Sequence, residues 1–287
     1  MKKVSFVKMS GAGNDFILFD KKITPELQLN SEAIEKMCSR RTGIGADGVL
    51  VIDDQEGLNF TMEYFNADGS TGTLCGNGAR CALRYADYSG RIPSREAKFT
   101  SNGNSYSGEI LGPDYVKFNF GTPCDYRPLM SLKAQGQQIM ASYINTGSPH
   151  VVIKSDDVLK PGNSKEVFSD LGELPVFSLG REIRYLSDFA PGGTNVNFIK
   201  ISGGKVYIRT YERGVEDETW ACGTGSVASA LVCFLKGELK SPVLLVTKGG
   251  DELKVEFKAD GENIRDLSLS GPAVITFTGE FYKNLYF

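Results

Sequence analysis

The segments CGNGA at residues 75–79 and CGTGS at residues 222–226 decide the fold of this chain. Each begins with cysteine, carries glycine at the second and fourth positions, and lies 147 residues from the other. A β-prone run that ends in a polar residue precedes each segment, at residues 62–66 and 208–212. This ordered similarity indicates two copies of one supersecondary unit.

The flanks of the two segments keep the same order. A glycine-rich turn that runs into a strand lies farther upstream, at residues 43–52 and 192–201. Downstream of each segment, strand-like alternation gives way to a helical pattern, over residues 79–88 and 226–236. The second helical run is apolar or small on every side, which predicts a helix that is buried all round.

These patterns predict a mixed α/β (α+β) fold. Two pseudo-symmetric halves, each a strand-rich roll around one central helix, would hold a ligand in the cleft between them. The expected N-terminal half covers residues 1–124, with Cys75, together with a C-terminal strand at about residues 268–283. The expected C-terminal half covers residues 125–267, with Cys222, and the loop at residues 121–128 forms the boundary. Residues 284–287 resemble part of a protease-tag sequence and enter no functional inference.

The composition excludes several functional classes. With 287 residues, 41% of them hydrophobic and 23% charged, the chain can form one large domain or two ordinary ones. The net charge is −3, and Lys and Arg are scattered, so nucleic acid is not an expected partner. No apolar run reaches the roughly 18 residues of a membrane helix, and no secretion signal is visible. A cytoplasmic location with reduced thiols is therefore expected.

Cysteine and histidine usage restricts the chemistry. The six cysteines include no Cys-x-x-Cys pair, which disfavours both a disulfide scaffold and zinc. His150 is the only histidine, and its place in the segment GSPH suits a turn residue and a site residue equally. Four cysteines are expected to act only as small buried hydrophobes, namely Cys38, Cys81, Cys124 and Cys233.

The two cysteine turns suit proton transfer. A cysteine at a strand-to-helix junction lies where unpaired N–H groups and the helix dipole stabilise a thiolate, and the glycines let a ligand approach the amides. One thiolate would remove an α-proton while the other thiol protonates the opposite face, with no cofactor and no metal. Two alternatives stay open, a plain helix start for either turn and a structural disulfide between Cys75 and Cys222.

Further motifs extend over nearly the whole chain, and together they resemble the diaminopimelate epimerase family. The motifs are GAGNDF at residues 11–16, FNADGS at 65–70, CGNGARC at 75–81, YERG at 211–214, ACGTG at 221–225 and SGPA at 270–273. The resemblance implies an isomerase, independent of pyridoxal phosphate, that interconverts LL- and meso-diaminopimelate in lysine and peptidoglycan precursor biosynthesis. It also implies two similar halves with the substrate in the cleft between them.

The resemblance assigns roles by position. Cys75 and Cys222 become the two catalytic acid–base residues. Glu212, with His150 near it, is expected to orient the reacting amine and to support the thiol charge. Backbone amides for the reacting carboxylate fall at Gly76, Asn77, Gly223 and Thr224. Side chains that contact the substrate fall at Asn14, Asn66, Ser148, Asn195 and Arg213, of which Arg213 suits a bidentate grip on the distal carboxylate.

Two positions depart from the family pattern. Ser148 replaces the usual Asn before Pro-His, and its shorter hydroxyl can still bond the substrate, directly or through water. Gly48 stands where the family often has glutamine, so that contact is absent or supplied elsewhere.

Two competing interpretations stay open. A proline or hydroxyproline racemase-like enzyme would share the fold and the pair of cysteines, although its first motif is of the Cys-Gly-His type. A ligand-binding module would keep the cleft and lack turnover. The expected partner is a small-molecule substrate, with no membrane involved, and a homodimer stays open.

Overall fold

The computed structural model describes residues 2–72, 75–162 and 165–287. The chain forms two compact units. The first unit comprises Met1–Asn119 and Ser270–Phe287, and the second unit comprises Phe120–Leu269. The division into folding domains at residues 124 and 267 stays a prediction.

The helices and strands follow one another in a regular order. The first unit contains β1 (Lys3–Gly11), β2 (Asn14–Asp20), α1 (Ser31–Cys38), β3 (Gly48–Asp53), β4 (Phe60–Asn66), α2 (Gly76–Tyr88), β5 (Glu96–Ser101), β6 (Asn104–Gly112) and β7 (Tyr115–Asn119). The second unit contains β8 (Cys124–Ala134), β9 (Gln137–Asn145), β10 (Pro149–Lys154), α3 (Val176–Arg184), β11 (Asn195–Ser202), β12 (Lys205–Glu212), β13 (Asp217–Thr219), α4 (Gly223–Leu235), β14 (Val243–Val246) and β15 (Glu252–Asp260). Two further strands complete the chain, β16 (Asn263–Pro272) and β17 (Val274–Tyr282).

The two units repeat one order of strand pairings. In the first unit, β1–β2 is antiparallel, β2–β3 parallel, β3–β4 antiparallel, β4–β5 parallel and β5–β6 antiparallel. In the second unit, the same sequence of pairings runs through β9, β10, β11, β12, β14 and β15. Each parallel pair needs a crossover, which α1 and α2 supply in the first unit and α3 and α4 in the second. The predicted mixed α/β fold with two pseudo-symmetric halves is confirmed.

One helix in each unit is surrounded by strands. Helix α2 contacts β1, β6, β7 and β17, and α4 contacts β9, β10, β11 and β12. Helix α4 is buried from Gly223 to Cys233, as its apolar sequence predicts. Strand β17 pairs antiparallel with β1.

Alternation along the strands gives the second unit two different sheet faces. Val151, Val196, Phe198 and Tyr211 pack in one hydrophobic cluster with residues of α3 such as Leu179. Because successive side chains of a strand point to opposite faces, the residues between them point away from this cluster. They are His150, Asn195, Asn197, Thr210 and Glu212, and they lie on the side of α4.

The structure corrects two details of the sequence interpretation. Helices α2 and α4 begin three residues earlier than predicted, because a cysteine cap compensates for glycine in their first turn. The boundary loop was predicted over residues 121–128, but β8 already begins at Cys124. Strand β8 is mostly exposed and carries two register irregularities, so its sequence shows little alternation. Among the described residues, none of the helices combines the length and the hydropathy that crossing a bilayer requires.

Candidate active site

Cys75 and Cys222 cap α2 and α4 in the same way. Cys75 has extended backbone angles (φ −111°, ψ 106°), and those of Cys222 are similar (φ −127°, ψ 113°). The Sγ of each cysteine accepts a hydrogen bond from the third residue of its helix, Gly78 or Gly225, at 3.4 Å. Each sulfur therefore lies in the positive field at a helix N-terminus, where a thiolate is stabilised.

Other amides of the two first turns are available to a ligand. The N–H groups of Ala79 and Ser226 bond to the carbonyl oxygens of the two capping cysteines at 2.9 Å. Within the described ranges, the N–H groups of Gly76, Gly223 and Thr224 donate no hydrogen bond. Such first-turn amides are the usual partners of a bound carboxylate or phosphate.

A chain of polar side chains lies beside Cys75. Asn14 Oδ1 lies 3.8 Å from the Cys75 Sγ and accepts a hydrogen bond from Asn77 Nδ2 at 3.4 Å. Asn14 Nδ2 donates to Asp47 at 2.7 Å, and the buried Arg80 donates to Asn77 Oδ1 at 2.9 Å. Because an ionised carboxylate only accepts, Asp47 orients Asn14 with its oxygen toward the thiol.

A cluster of charges anchors this chain. Arg40 contacts both Asp15 and Asp47, and Lys8 pairs with Asp15 at 2.6 Å. Burial raises the pKa of Asp47, and the neighbouring Asp15 charge adds to the increase. Burial also acts on Asp15, but hydrogen bonds from Arg40 and Lys8 hold the pKa of Asp15 below its ordinary value. Arg40, which is itself paired with Asp15, keeps the Asp47 carboxylate in place against Asn14.

Neutral polar groups lie beside Cys222. Thr224 Oγ1 is 3.5 Å from the Cys222 Sγ, and the Thr146 hydroxyl donates to the Thr224 carbonyl at 3.1 Å. The loop before β10 is thereby joined to the first turn of α4. Unlike Cys75, which is partly exposed, Cys222 is buried. All six cysteines are free thiols, and Cys124 is exposed, contrary to the expectation that it is buried.

His150 is fully buried on β10. Its Nδ1 lies 3.1 Å from Asn197 Nδ2, which also donates to the Val151 carbonyl at 2.9 Å. The Thr210 hydroxyl donates to Asn197 Oδ1 at 3.0 Å. Burial lowers the pKa of His150 to about 3, and the charge of Arg213 contributes to the decrease. The imidazole is therefore neutral near pH 7.

Asn195 links two of the predicted substrate contacts. Its Nδ2 donates to Ser148 Oγ at 3.0 Å and to the Pro149 carbonyl at 2.8 Å, and its Oδ1 accepts from the Arg213 amide at 2.9 Å. Glu212 accepts a hydrogen bond from Thr219 Oγ1 at 2.9 Å. The side-chain amide of Asn195 therefore holds Ser148 and Arg213 in place, a role that the sequence did not predict.

The guanidinium of Arg213 forms no ion pair with a described residue, although the charge of Glu216 acts on it. Within the part of the chain that the structure describes, its side chain makes no hydrogen bond and no ion pair. Burial lowers the pKa of Arg213, and the nearby Arg184 lowers it further, but an arginine stays protonated. A half-buried, unpaired guanidinium is suited to bind a carboxylate of a ligand.

The predicted contacts of the first unit lie at the ends of β2, β4 and α2. Asn66 ends β4, faces Gly48 in the register, and donates from Nδ2 to Ser70 Oγ at 3.0 Å. A Cβ on Gly48 would lie 2.5 Å from the Phe65 carbonyl oxygen and 2.8 Å from the Tyr64 ring. A side chain at position 48 would therefore require the backbone of β4 to move.

Four residues of the two sites were missed from the sequence, namely Asp47, Asn197, Thr210 and Thr219. The alternation NVNF at residues 195–198 would have indicated Asn197, because it places Asn197 on the same face as Asn195. The contact of Asp47 with Asn14 has no comparable signal, because Asn14 begins β2 whereas Asp47 lies in the loop just before β3.

The chain matches the family model of diaminopimelate epimerase over residues 6–123 and 142–276. It belongs to the diaminopimelate epimerase family. A diaminopimelate epimerase from Chlorobaculum tepidum is 39% identical over 274 residues, which cover 94% of this chain and 98% of that protein. A diaminopimelate epimerase from Aquifex aeolicus is 36% identical over 294 residues, with 98% and 99% covered. The predicted family is confirmed.

Solved structures of lower identity share the fold. A probable proline racemase from Agrobacterium radiobacter superposes with a TM-score of 0.72 at 12% identity, covering 98% of this chain and 93% of that one. A phenazine biosynthesis protein of the PhzF family from Bacillus anthracis has a TM-score of 0.70 at 12% identity, covering 98% and 100%. At such identity, these neighbours show a common architecture only.

Proposed function

We propose that this chain interconverts LL- and meso-diaminopimelate without a cofactor, with Cys75 and Cys222 as the acid–base pair. Family membership supports the substrate. The observation that carries the mechanism is that both cysteines cap a helix with the same geometry, each with its sulfur bonded to a first-turn amide. A cytoplasmic role in lysine and peptidoglycan precursor biosynthesis belongs to the same proposal.

The two thiols exchange roles in each turnover. One thiolate removes the α-proton, the other thiol delivers a proton to the opposite face, and the configuration of the carbon inverts. The oxygen of Asn14 is an acceptor that favours Cys75 as S–H. The hydroxyl of Thr224 can both donate and accept, so it can stabilise Cys222 as the thiolate in the resting enzyme.

Backbone amides stabilise the negative charge that develops on the substrate. The N–H groups of Gly76, Asn77, Gly223 and Thr224 bind the reacting carboxylate, which becomes more negative as the α-proton leaves. Loss of one such donor costs about 10²–10³-fold in kcat in other enzymes. The low acidity of an α-proton makes this stabilisation the largest requirement of the reaction.

A second set of groups recognises the distal end of the substrate. Arg213 binds the distal carboxylate, and Asn195 holds the backbone of Arg213 and the hydroxyl of Ser148 in register. Glu212 orients the reacting ammonium. A proline-like substrate has one carboxylate and would leave Arg213 without a counterion, so a substrate that is charged at both ends fits better.

The test is α-proton exchange in deuterium oxide. Reduced protein is incubated with LL-diaminopimelate without pyridoxal phosphate, and proton NMR and chiral chromatography follow deuterium uptake and the meso isomer. We expect both, and we expect neither from a Cys75→Ala/Cys222→Ala double variant. Absence of exchange by the wild-type protein overturns the proposal, and binding without exchange would indicate a ligand-binding module. Racemisation of proline in a parallel reaction would indicate the rival activity.

A further inference from the structure

The strand registers allow each position in one unit to be compared with the corresponding position in the other. Asn197 and Leu50 occupy the same place, since each lies on the second strand of the parallel pair, two residues after the position where pairing begins. The helices support this match independently. A Cβ on Gly225 would lie 2.3 Å from Asn197 Oδ1, and a Cβ on Gly78 would lie 3.1 Å from Leu50 Cδ2.

The neighbours of Asn197 are polar, whereas the corresponding neighbours of Leu50 are aromatic. The position of His150 in the second unit is occupied by Phe16 in the first, and the position of Thr210 is occupied by Tyr64. Phe16 and Tyr64 pack edge to face with ring centroids 6.1 Å apart. The first unit thus fills this place with a largely apolar group around Leu50.

A polar group at the same place is not required by the fold. Burying polar side chains is unfavourable unless each finds a hydrogen-bond partner, and His150, Asn197 and Thr210 are all buried. Their bonds to one another satisfy most of their polar atoms. One atom is left over, since His150 Nε2 is buried and has no hydrogen-bond partner among the described residues. A buried polar atom of this kind needs a partner, which a bound ligand or an ordered water can supply.

The hydrogen bonds decide which nitrogen of His150 carries the proton. The Val151 carbonyl can only accept, so the group of Asn197 that faces it must be the NH₂. The same NH₂ faces His150 Nδ1, which must therefore accept, and a neutral imidazole then carries its proton on Nε2. The Thr210 hydroxyl completes the arrangement by donating to the Asn197 oxygen.

We propose that Asn197 is a positioning residue that holds His150 as the Nε2–H tautomer, so that Nε2–H is a directed donor to the substrate-bound site around Cys222. The substrate in this statement rests on the proposed function, whereas the tautomer does not. His150 lies on the same sheet face as Asn195 and Glu212, both of which the family resemblance assigns to the substrate. A neutral donor is favourable there, because an imidazolium would add a second cation near Arg213.

The wild-type protein gives the direct test. His150 is the only histidine of the chain, so ¹⁵N-histidine labelling of protein without a histidine tag yields one imidazole in the NMR spectrum. At pH 7 to 8 we expect a protonated Nε2 and an unprotonated Nδ1. A proton on Nδ1, or an imidazolium, would overturn the proposal. Addition of LL-diaminopimelate should shift the Nε2 resonance, and an unchanged resonance at saturation would contradict its role as a donor to the substrate-bound site.

The variant Asn197→Asp tests the positioning role. A carboxylate at this position can only accept, so the proton should move to Nδ1 or both nitrogens should be protonated. A wrong tautomer costs a serine protease about 10⁴-fold in kcat, and since His150 is not the base here, we expect a loss of at least about 10-fold in kcat with a smaller change in KM. An unchanged tautomer and kcat would contradict the proposal.

Two further variants keep the test decisive. Asn119→Asp is a matched control, because Asn119 is a partly buried residue of β7 that donates to the Ser107 hydroxyl, and it should alter neither the spectrum nor kcat. If Asn197→Asp does not fold, Thr210→Val removes the hydroxyl that bonds to Asn197 Oδ1 and should give a mixture of tautomers. An Nε2–H tautomer in a protein that epimerises nothing would support the role of Asn197 and refute only the proposed function.

Discussion

The turns at Cys75 and Cys222 have the same backbone conformation but different surroundings. Beside Cys75, an asparagine oxygen faces the sulfur and is held by a carboxylate in a cluster of charges. Beside Cys222, a hydroxyl faces the sulfur, and the nearby strands carry His150 and Asn197, neutral groups that bond to each other. The helix cap fixes the geometry of both thiols, whereas the neighbouring side chains make the two sites chemically unequal. In the proposed reaction, this inequality would let one thiol act as the base while the other acts as the acid.

The largest effect should come from removing either thiol. Cys75→Ala and Cys222→Ala are each expected to reduce epimerisation by about 10²–10⁴-fold or more, because each thiol serves one face of the reacting carbon. Initial rates of meso-diaminopimelate formation measure the loss, and circular dichroism verifies the fold. Cys124→Ala, at an exposed cysteine, is the control and should retain wild-type rates. If either single variant kept its activity, the two cysteines would not act as a pair.

Substitution of Arg213 tests whether the second unit recognises the distal end of the substrate. Arg213→Lys keeps the charge but loses the bidentate geometry, so we expect kcat/KM for diaminopimelate to fall about 10- to 100-fold, equivalent to one charged hydrogen bond. Steady-state kinetics with varied substrate measure this change. Arg127→Lys, at an exposed residue that pairs with Asp125, should leave the kinetics unchanged. Equal kinetics for the two variants would remove Arg213 from the substrate site.

Alanine substitution of the glycine at the third position of each helix compares the packing of the two turns. Gly225→Ala would place a Cβ 2.3 Å from Asn197 Oδ1, and we expect a loss of about 1–3 kcal/mol in the free energy of unfolding. Gly78→Ala makes its one tight contact with the flexible end of Leu50, at 3.1 Å, and the helix propensity of alanine offsets this contact, so the change should stay within about 1 kcal/mol. Urea unfolding monitors both. A reversed order would mean that the two turns are not packed as described.

A further effect concerns the pH dependence of stability. The pKa of His150 is about 3 in the fold, below its ordinary value of 6.5, so the fold favours the neutral form. The unfolded state binds more protons between these values, and the stability contributed by neutral His150 is present above pH 6.5 and is lost as the pH falls. Between pH 7 and pH 5, the wild type should lose about 2 kcal/mol more than His150→Gln. Urea unfolding across this range checks the difference, and parallel curves would contradict a buried neutral imidazole.

Much of the architecture could be predicted from the sequence because its signals are local. The repeated segments at residues 75–79 and 222–226 indicated two similar halves, and the apolar run in α4 indicated a buried helix. The helix starts were placed three residues late, because glycine is unfavourable inside helices and nothing in the pattern reveals that Cys75 and Cys222 accept hydrogen bonds from the first turn.

The sequence by itself determined the pair of Cys-Gly-x-Gly turns, the repeat and the family to which the chain belongs. Only the tertiary structure decided what surrounds each sulfur, including the carboxylate behind Asn14 and the asparagine behind His150. The physical reason is the range of the interactions. A helix cap is made by residues three apart in the chain, whereas the partners of Asn14 and His150 lie 33 and 47 residues away and meet them only through the register of separate strands.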